Sequence, residues 1–587
     1  MKIALVELPP TPNGKLFEEP AKDVYSFFYL PSRAIDLLNG IIRQEGFSDT
    51  YTINPRMNKG DSEIISEEQL RTIYSSDVVG ISAITRTIPQ SFELAGLIRE
   101  HNPGAKIVFG GPHATALPDE TLEYSDFVVR NEGDITFPEL LHRLEDNFKE
   151  PALEELPGIS YRNADGGIVH NPAREFSDSK LLTDLAFPVY SEETLDTTRY
   201  FTINTSRGCP YECEFCSVVS HFGNRYRTMS VDRTLEHIKY IIDLKKDRGN
   251  YSIFFGDDHF AANISRTKEL LRRIKSDIPD MPRWSAQVRV ETAKDPELLS
   301  LMKETGCFKV YIGFESIEVE TLEAWNKRQD IEKITNAISA YHDADITIHG
   351  MFVFGSDYDR PETMNKTLKF ANKMNIDTVQ FISLLPLPGT PLYRRYEREG
   401  KILSKEWHKY SGHLVLIKPD RMSPWELQKN MNRALKRFYS LPQAFRQLFR
   451  TDFSYSNWRS NAALRFIGIA TKFLGVREMR EHLLNLKAID GIAQNMDRAY
   501  ERWIAYWREK MTALTLKAYE KRNLLLKEFT QFSKKASGMK EYYKEKYNRI
   551  NNYFFDNSFS QIWETIRERF KRELENHGIA PQTADYE

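Results

Sequence analysis

Six short apolar runs rich in β-branched and aromatic residues recur at 201–205, 252–255, 284–288, 309–313, 347–354 and 378–384. Helical patterns such as 231–245, 266–275 and 296–304 separate them. Strands that alternate with helices this regularly pair in parallel, because each crossover returns the chain to the same end of the sheet. Six such units predict a partial, TIM-like (β/α)6 barrel, a fold whose chemistry sits at the carboxyl ends of its strands. Upstream, runs at 3–8, 50–53, 78–84, 107–110 and 127–130 alternate with helices near 32–44, 67–75, 89–101 and 136–146. These predict a doubly wound, Rossmann-like parallel sheet with its ligand edge at Ser82-Ala83-Ile84-Thr85, Gly110-Gly111-Pro112-His113 and Asn131-Glu132-Gly133. The expected division is 1–148 for this unit, 149–197 for a connector with a hairpin turn at 163–167, 198–430 for the barrel and 431–587 for a helical C-terminal domain.

Composition narrows the setting. The chain has 587 residues, a net charge of −2 and 41% hydrophobic residues, enough for several cores. The near-neutral sum hides a division, since residues 441–587 carry 26 basic and 18 acidic side chains against 55 and 65 before them. Long amphipathic patterns such as 500–527 predict helices there. Phe445, Phe449, Phe453, Trp458, Phe466 and Phe473 interleave with Arg446, Arg450, Arg459, Arg465 and Lys472. Three readings stay open for that pattern: a bundle with solvated charges, a face for an anionic membrane or a lipid-like substrate, and a nucleic-acid surface. No DNA partner is expected. No run approaches the roughly 18 apolar residues of a membrane span, and the N-terminus lacks a signal-peptide pattern, so a cytoplasmic protein, at most peripheral to a membrane, is expected.

Chemistry concentrates in Cys209-Pro210-Tyr211-Glu212-Cys213-Glu214-Phe215-Cys216, which directly follows the first barrel run and holds three of the four cysteines. Three thiolates on one tight loop suit a metal centre rather than disulfides. Zinc completed by His221 is one reading, although structural zinc usually draws on two separated ligand pairs. An iron-sulfur cubane with one iron left open is the other. Cys307 reads as a small buried residue.

The CxxxCxxC spacing, with aromatic Phe215 before the last cysteine and β/α repeats after it, resembles the radical SAM superfamily. The resemblance implies a 4Fe-4S cluster on Cys209, Cys213 and Cys216 whose open iron chelates S-adenosylmethionine. One electron then yields a 5′-deoxyadenosyl radical, and a donor such as flavodoxin or ferredoxin is implied. Phe255-Gly256-Asp257-Asp258 stands where the family contacts the methionine amino group, but with carboxylates and a single glycine. Gln287, Arg289, Glu315 and Ser316 look like ribose and carboxylate contacts, and Gly350, Gly355 and 384–386 like walls for adenine.

A five-stranded α/β unit before such a core is similar to the cobalamin-binding domain of the class that joins the two, over about residues 1–430. Cobalamin contacts are then expected at Ser82, Thr85, Gly110, Gly111, His113, Glu132 and Gly133. No DxHxxG motif occurs there, so no histidine of that motif ligates cobalt, and Asn131 replaces a usual glycine. Asp257-Asp258-His259 nearly spells the motif but lies in the barrel and ends in Ala262. Methylthiotransferases carry cysteines for a second cluster in their first domain, whereas residues 1–208 contain none. The resemblance implies radical methylation of an unactivated carbon in a small-molecule or lipid-like substrate. The alternatives are a non-methylating radical enzyme that forms rings, oxidises or couples carbons, and a zinc-stabilised binding protein.

Overall fold

The computed structural model describes residues 1–21, 30–57, 64–146 and 152–448, together with His482, Leu483 and Leu486. All belong to a unit ending at Asp490, and the second unit, 491–587, lies outside the described residues with the expected helix at 500–527. Of the basic-aromatic face only Phe445 is described in full, exposed on the helix Leu441–Leu448. Among the described residues no helix is long and apolar enough to cross a membrane.

The first sheet orders its strands β2-β1-β3-β4-β5-β6-β7. The strands β1 (Ile3–Val6), β2 (Thr50–Ile53), β3 (Val78–Ser82), β4 (Lys106–Gly110) and β5 (Phe127–Val129) are parallel. Alternate residues of β1 feed two cores, Ala4 and Val6 one, Ile3 and Leu5 the other, as helices on both faces require. The expected connector contributes two further strands, β6 (Ile159–Arg162) and β7 (Ile168–His170), which form an antiparallel hairpin around 163–167, with β6 also pairing antiparallel with β5. The sheet therefore has seven strands rather than five, and it continues past residue 148.

The second sheet is wholly parallel, and each of its six strands pairs with the next in sequence. It comprises β8 (Tyr200–Ile203), β11 (Ser252–Phe255), β12 (Trp284–Val288), β13 (Cys307–Glu315), β14 (Thr347–Phe354) and β15 (Thr378–Ser383). A small ladder of β9 (Ser206–Arg207) and β10 (Arg227–Thr228) intervenes. Side-chain caps start the outer helices: Ser230, Asn263, Asp295 and Asp330 each accept a backbone N–H of the first turn.

The sheet is curved. The rings of Phe254 and Tyr311 lie 5.6 Å apart although β12, with the small Ser285, runs between their strands. Outward residues such as Ile253, Phe255, Val310 and Ile348 are fully buried under helices. On the concave side Phe254, Gln287, Tyr311, His349, Met351 and Gln380 remain half-buried, so the lumen of this half-barrel is open to solvent.

The two sheets share a core. Tyr393, Trp407, Tyr410, Leu414 and Leu416, all after β15, pack into the apolar cluster of the first sheet. Trp407 also donates its indole N–H to Glu120 at 2.8 Å.

Candidate cofactor site

The cysteine loop leaves the carboxyl end of the barrel through β9 and enters the helix Ser217–Phe222. Gly208 opens it with φ +78°, and a Cβ there would meet the Arg225 carbonyl at 2.4 Å, so only glycine makes the turn. Cys213 is buried, Cys209 and Cys216 are half-buried, and the Cys216 N–H donates to the Cys213 carbonyl at 3.1 Å.

Neighbouring elements fix the loop. Arg395 donates to both oxygens of Glu214, at 2.7 and 3.0 Å. Phe215 stands edge-on to Trp325 at 5.1 Å, and the Arg289 guanidinium lies 3.8 Å from the Tyr211 ring. Burial pushes the Cys209 thiol up and that of Cys216 to about 12. Such thiols become thiolates when a cation binds. Among the described residues no three His, Cys, Asp or Glu side chains converge on the space of a single ion, His221 with the cysteines included. A cubane spreads its thiolates over separate irons, so this donor set fits a cluster better than a mononuclear zinc site.

Beside the loop, the end of β11 leaves buried polar atoms unsatisfied. A Cβ on Gly256 would come within 2.5 Å of Thr202 Cγ2 and 2.7 Å of Asn204 Oδ1, so the strand ends close on one another there. Thr202 Oγ1, Asn204 Oδ1, Asp257 Oδ2 and His259 Nδ1 have no hydrogen-bond partner among the described residues. Each such atom costs about 1–3 kcal/mol, and a polar ligand removes that cost.

Asp257 is fully buried. Its Oδ1 accepts from Thr205 N at 3.0 Å, from Thr205 Oγ1 at 3.2 Å and from Ser206 Oγ, and burial raises its carboxyl to about 6. Burial also raises Asp258, against Arg33 and the Gly208 N–H. From the first unit, Arg33 donates to the Gly256 carbonyl at 2.6 Å.

The remaining expected barrel contacts divide. Gln287 is half-buried on the lumen side, and its carbonyl accepts from Phe260 N at 3.0 Å. Arg289 is occupied by Glu291 and by the Lys327 carbonyl at 2.5 Å. Glu315, at φ +60°, pairs with Lys327 at 2.8 Å, and Ser316 is buried and accepts from Glu318 N at 3.0 Å. Arg289 and Glu315 thus each have a partner within the protein.

At the ligand edge of the first sheet, Ser82, Thr85, Gly110 and Gly111 lie together. The Ala83 N–H donates to the Gly110 carbonyl at 3.1 Å, and a Cβ on Gly111 would fall 2.7 Å from the Ala83 carbonyl. Asn131 adopts φ +63°, so asparagine fills the backbone role of the absent glycine. Gly133 begins the helix Gly133–Glu145. His113 is fully buried, edge-on to Trp407 at 5.3 Å and 3.6 Å from Glu120.

Glu132, expected at a cofactor, accepts from Arg227 at 2.8 and 2.9 Å, from Arg207 at 3.2 Å and from Ser177 N at 2.8 Å. Asp134 takes both terminal nitrogens of Arg207, one at 2.9 Å. This buried network ties the first sheet to the start of the cysteine loop, and of its members only Glu132 stood out in the sequence. The helix Pro112–Ala116, which follows the paired glycines, meanwhile packs against the helix Ser217–Phe222, which follows the cysteines.

Known proteins share this arrangement. The radical SAM superfamily model matches residues 203–406, and the B12 binding domain model matches residues 25–141. A methyltransferase of Pyrococcus horikoshii that is itself uncharacterised is 29% identical over 479 residues, 79% of this chain and 97% of the relative. The bacteriochlorophyllide d C-8(2)-methyltransferase of Chlorobaculum tepidum is 26% identical over 62% of this chain and 78% of its own length. The structure of the radical S-adenosylmethionine methyltransferase TsrM from Kitasatospora setae, with cobalamin and a [4Fe-4S] cluster bound, superposes with a TM-score of 0.57 at 18% identity, covering 80% of this chain and 99% of that one. The chain thus carries a B12 binding domain before a radical SAM domain, the pairing found in the cobalamin-binding radical SAM enzymes, and the cofactors those two domains imply are a 4Fe-4S cluster, S-adenosylmethionine and cobalamin.

Proposed function

We propose that this chain is a methyltransferase that methylates an unactivated carbon of a small molecule by a radical mechanism. One observation carries the reading: the helix Pro112–Ala116, from the ligand edge of the first sheet, lies against the helix that follows Cys216. The methyltransferase relatives support it. In this reading Cys209, Cys213 and Cys216 hold the cluster. When bound, the cluster and S-adenosylmethionine supply a carbon-centred radical and cobalamin supplies the methyl group. The chain's own part is positional. Arg395 and Trp325 hold the thiol loop, and the orphaned acceptors around Gly256 receive the ammonium of S-adenosylmethionine. Ser82, Thr85, Gly110 and Gly111 cradle the corrin, and the open lumen admits the substrate. A small electron-transfer protein of flavodoxin or ferredoxin type supplies the electron.

The test is to incubate the anaerobically reconstituted, cobalamin-loaded protein with S-adenosylmethionine, dithionite and cell extract. 5′-Deoxyadenosine and S-adenosylhomocysteine are quantified together. Extract-dependent formation of both supports methylation, and a labelled methyl group can then be traced into its acceptor. Deoxyadenosine alone supports a non-methylating radical reaction instead. Cys213→Ala is expected to lose the brown cluster and all deoxyadenosine formation; turnover that persists in this variant sinks the assignment of the thiols.

A further inference from the structure

The amino end of the barrel lumen holds a cation that the fold leaves unanswered. Lys309 lies in register with Ser285 on one side and Thr347 on the other, in the row that begins with Phe254 on β11. Residues of one row in a parallel sheet share a face, so Lys309 points into the lumen. Its residue is only 9% exposed, yet among the described residues its amine makes no hydrogen bond or ion pair within 4 Å, and the ring of Phe308 lies 5.9 Å from it. Burial lowers its amine to about 8.

The surroundings do not neutralise it. His349 sits one strand over and two residues further along, its Nδ1 2.8 Å from Thr378 Oγ1, and burial together with Lys309 keeps it uncharged. Arg283 adds positive charge, with its guanidinium over Phe308 at 4.6 Å. The nearest acid in charge terms, Asp377, is fully buried and engaged by His342 at 3.1 Å and Ile348 N at 2.8 Å. A buried ammonium without a counter-ion is costly, and a lumen that stays open supplies a reason to keep it. Above it the walls are mostly aromatic and apolar, Phe254, Tyr311, Met351 and Ile382, interrupted by the amides of Gln287 and Gln380.

We propose that Lys309 is a specificity residue that receives an oxyanion, a carboxylate or a phosphate, at the distal end of an otherwise apolar or aromatic substrate. The proposal rests on the reading of the lumen as the substrate space of the enzyme. The amine forms a charge-assisted hydrogen bond with the anion, and the aromatic walls take the body of the molecule, so that the reacting carbon lies toward the cysteine loop at the opposite end of the strands.

Three probes test it by calorimetry on the anaerobic holoenzyme: 2-naphthylacetate, 2-naphthyl phosphate and the neutral 2-naphthylacetamide. The wild type is expected to bind at least one anion tenfold or more tightly than the amide, and which anion binds better distinguishes carboxylate from phosphate. Lys309→Met should weaken the anions at least tenfold and change the amide less than twofold, while Lys309→Arg keeps the preference. Equal affinity for anions and amide, equal losses for all three probes in Lys309→Met, or no saturable anion binding overturns the proposal. Deoxyadenosine formation by the wild type with dithionite and cell extract, measured in parallel, separates the two readings. Its absence refutes the radical enzyme itself, whereas its presence leaves the binding result to decide the role of Lys309.

Discussion

Asp134→Ala should detach the start of the cysteine loop from the first sheet. Asp134 grips both terminal nitrogens of Arg207, which then keeps only the 3.2 Å bond to Glu132, a carboxylate already shared with Arg227. Burial works against the charges of Asp134 and Arg207, but each more than offsets it for the other, holding the carboxyl below its ordinary range and the guanidinium above its own. Removing one partner of a buried pair costs about 3–5 kcal/mol, and the surviving Glu132 bond places this case near 3. At about 1.36 kcal/mol per decade, opening of the segment around Ser206–Arg207 should rise about a hundredfold. Hydrogen exchange followed by mass spectrometry reads this directly in peptides covering 204–216. The double variant Asp134→Ala, Arg207→Ala should recover part of the loss, because it no longer strands a buried guanidinium. A carboxyl held below 3.8 contributes stability above that value and loses it as the pH falls through the lowered one, so the difference from wild type should be flat between pH 5 and 8. A change under threefold in these peptides, or strictly additive single effects, would refute the argument.

Trp407→Ala should lower stability by about 3–5 kcal/mol in thermal unfolding, since the ring packs into the core of the first sheet; a loss under 1 would mean the two sheets do not depend on this shared core. Gly256→Ala should cost about 1–3 kcal/mol in denaturant unfolding, because its Cβ meets Thr202 at 2.5 Å, and should weaken binding of S-adenosylmethionine; wild-type behaviour in both would show that the strand ends can part freely. Asp257→Asn should stabilise the protein at pH 7 by up to about 3 kcal/mol. Burial raises the Asp257 carboxyl to about 6, so the folded state binds its proton more tightly and stability falls as pH rises from about 4 to 6. The variant should lack that slope, and parallel pH profiles for variant and wild type would contradict it.

Much of the frame was legible in the chain. The runs at 50–53, 252–255, 284–288 and 347–354 coincide with β2, β11, β12 and β14, because each is an apolar or β-branched segment cut off by polar or turn-forming residues. The run at 309–313 became Cys307–Glu315 because the register shifts at both ends of the strand, and pairing irregularities leave no periodic mark. The hairpin at 159–170 read as a connector because two strands of four and three residues, the outer one largely exposed, are too short to show a period. The cysteine loop could be read since its spacing is local. The arginine partners of Glu132 could not, because a carboxylate after a strand carries no sign of arginines 75 and 95 residues away. Arg33 and Lys309 were invisible for a similar reason: one acts 223 residues from its partner, and the other matters because no partner is there.

The residues expected to touch cofactors separate by whether the fold has already satisfied them. Arg289 and Glu315 have ion-pair or carbonyl partners, and Glu132 has two arginines, so a ligand gains little there without first breaking a bond worth about 1.5–3 kcal/mol. Thr202, Asn204, Asp257 and His259 each keep a buried atom unanswered around Gly256. Three of these four were not singled out as contacts, because a threonine, an asparagine and a histidine near a strand end carry no motif of their own. Unsatisfied groups destabilise the unliganded fold, so they persist where a ligand restores the loss. The cluster of four such atoms makes the edge between β8 and β11 a place where a polar ligand gains binding free energy. Replacing Asn204 or Thr202 should therefore weaken binding of S-adenosylmethionine more than replacing Glu315, whose loss should appear first as lower stability.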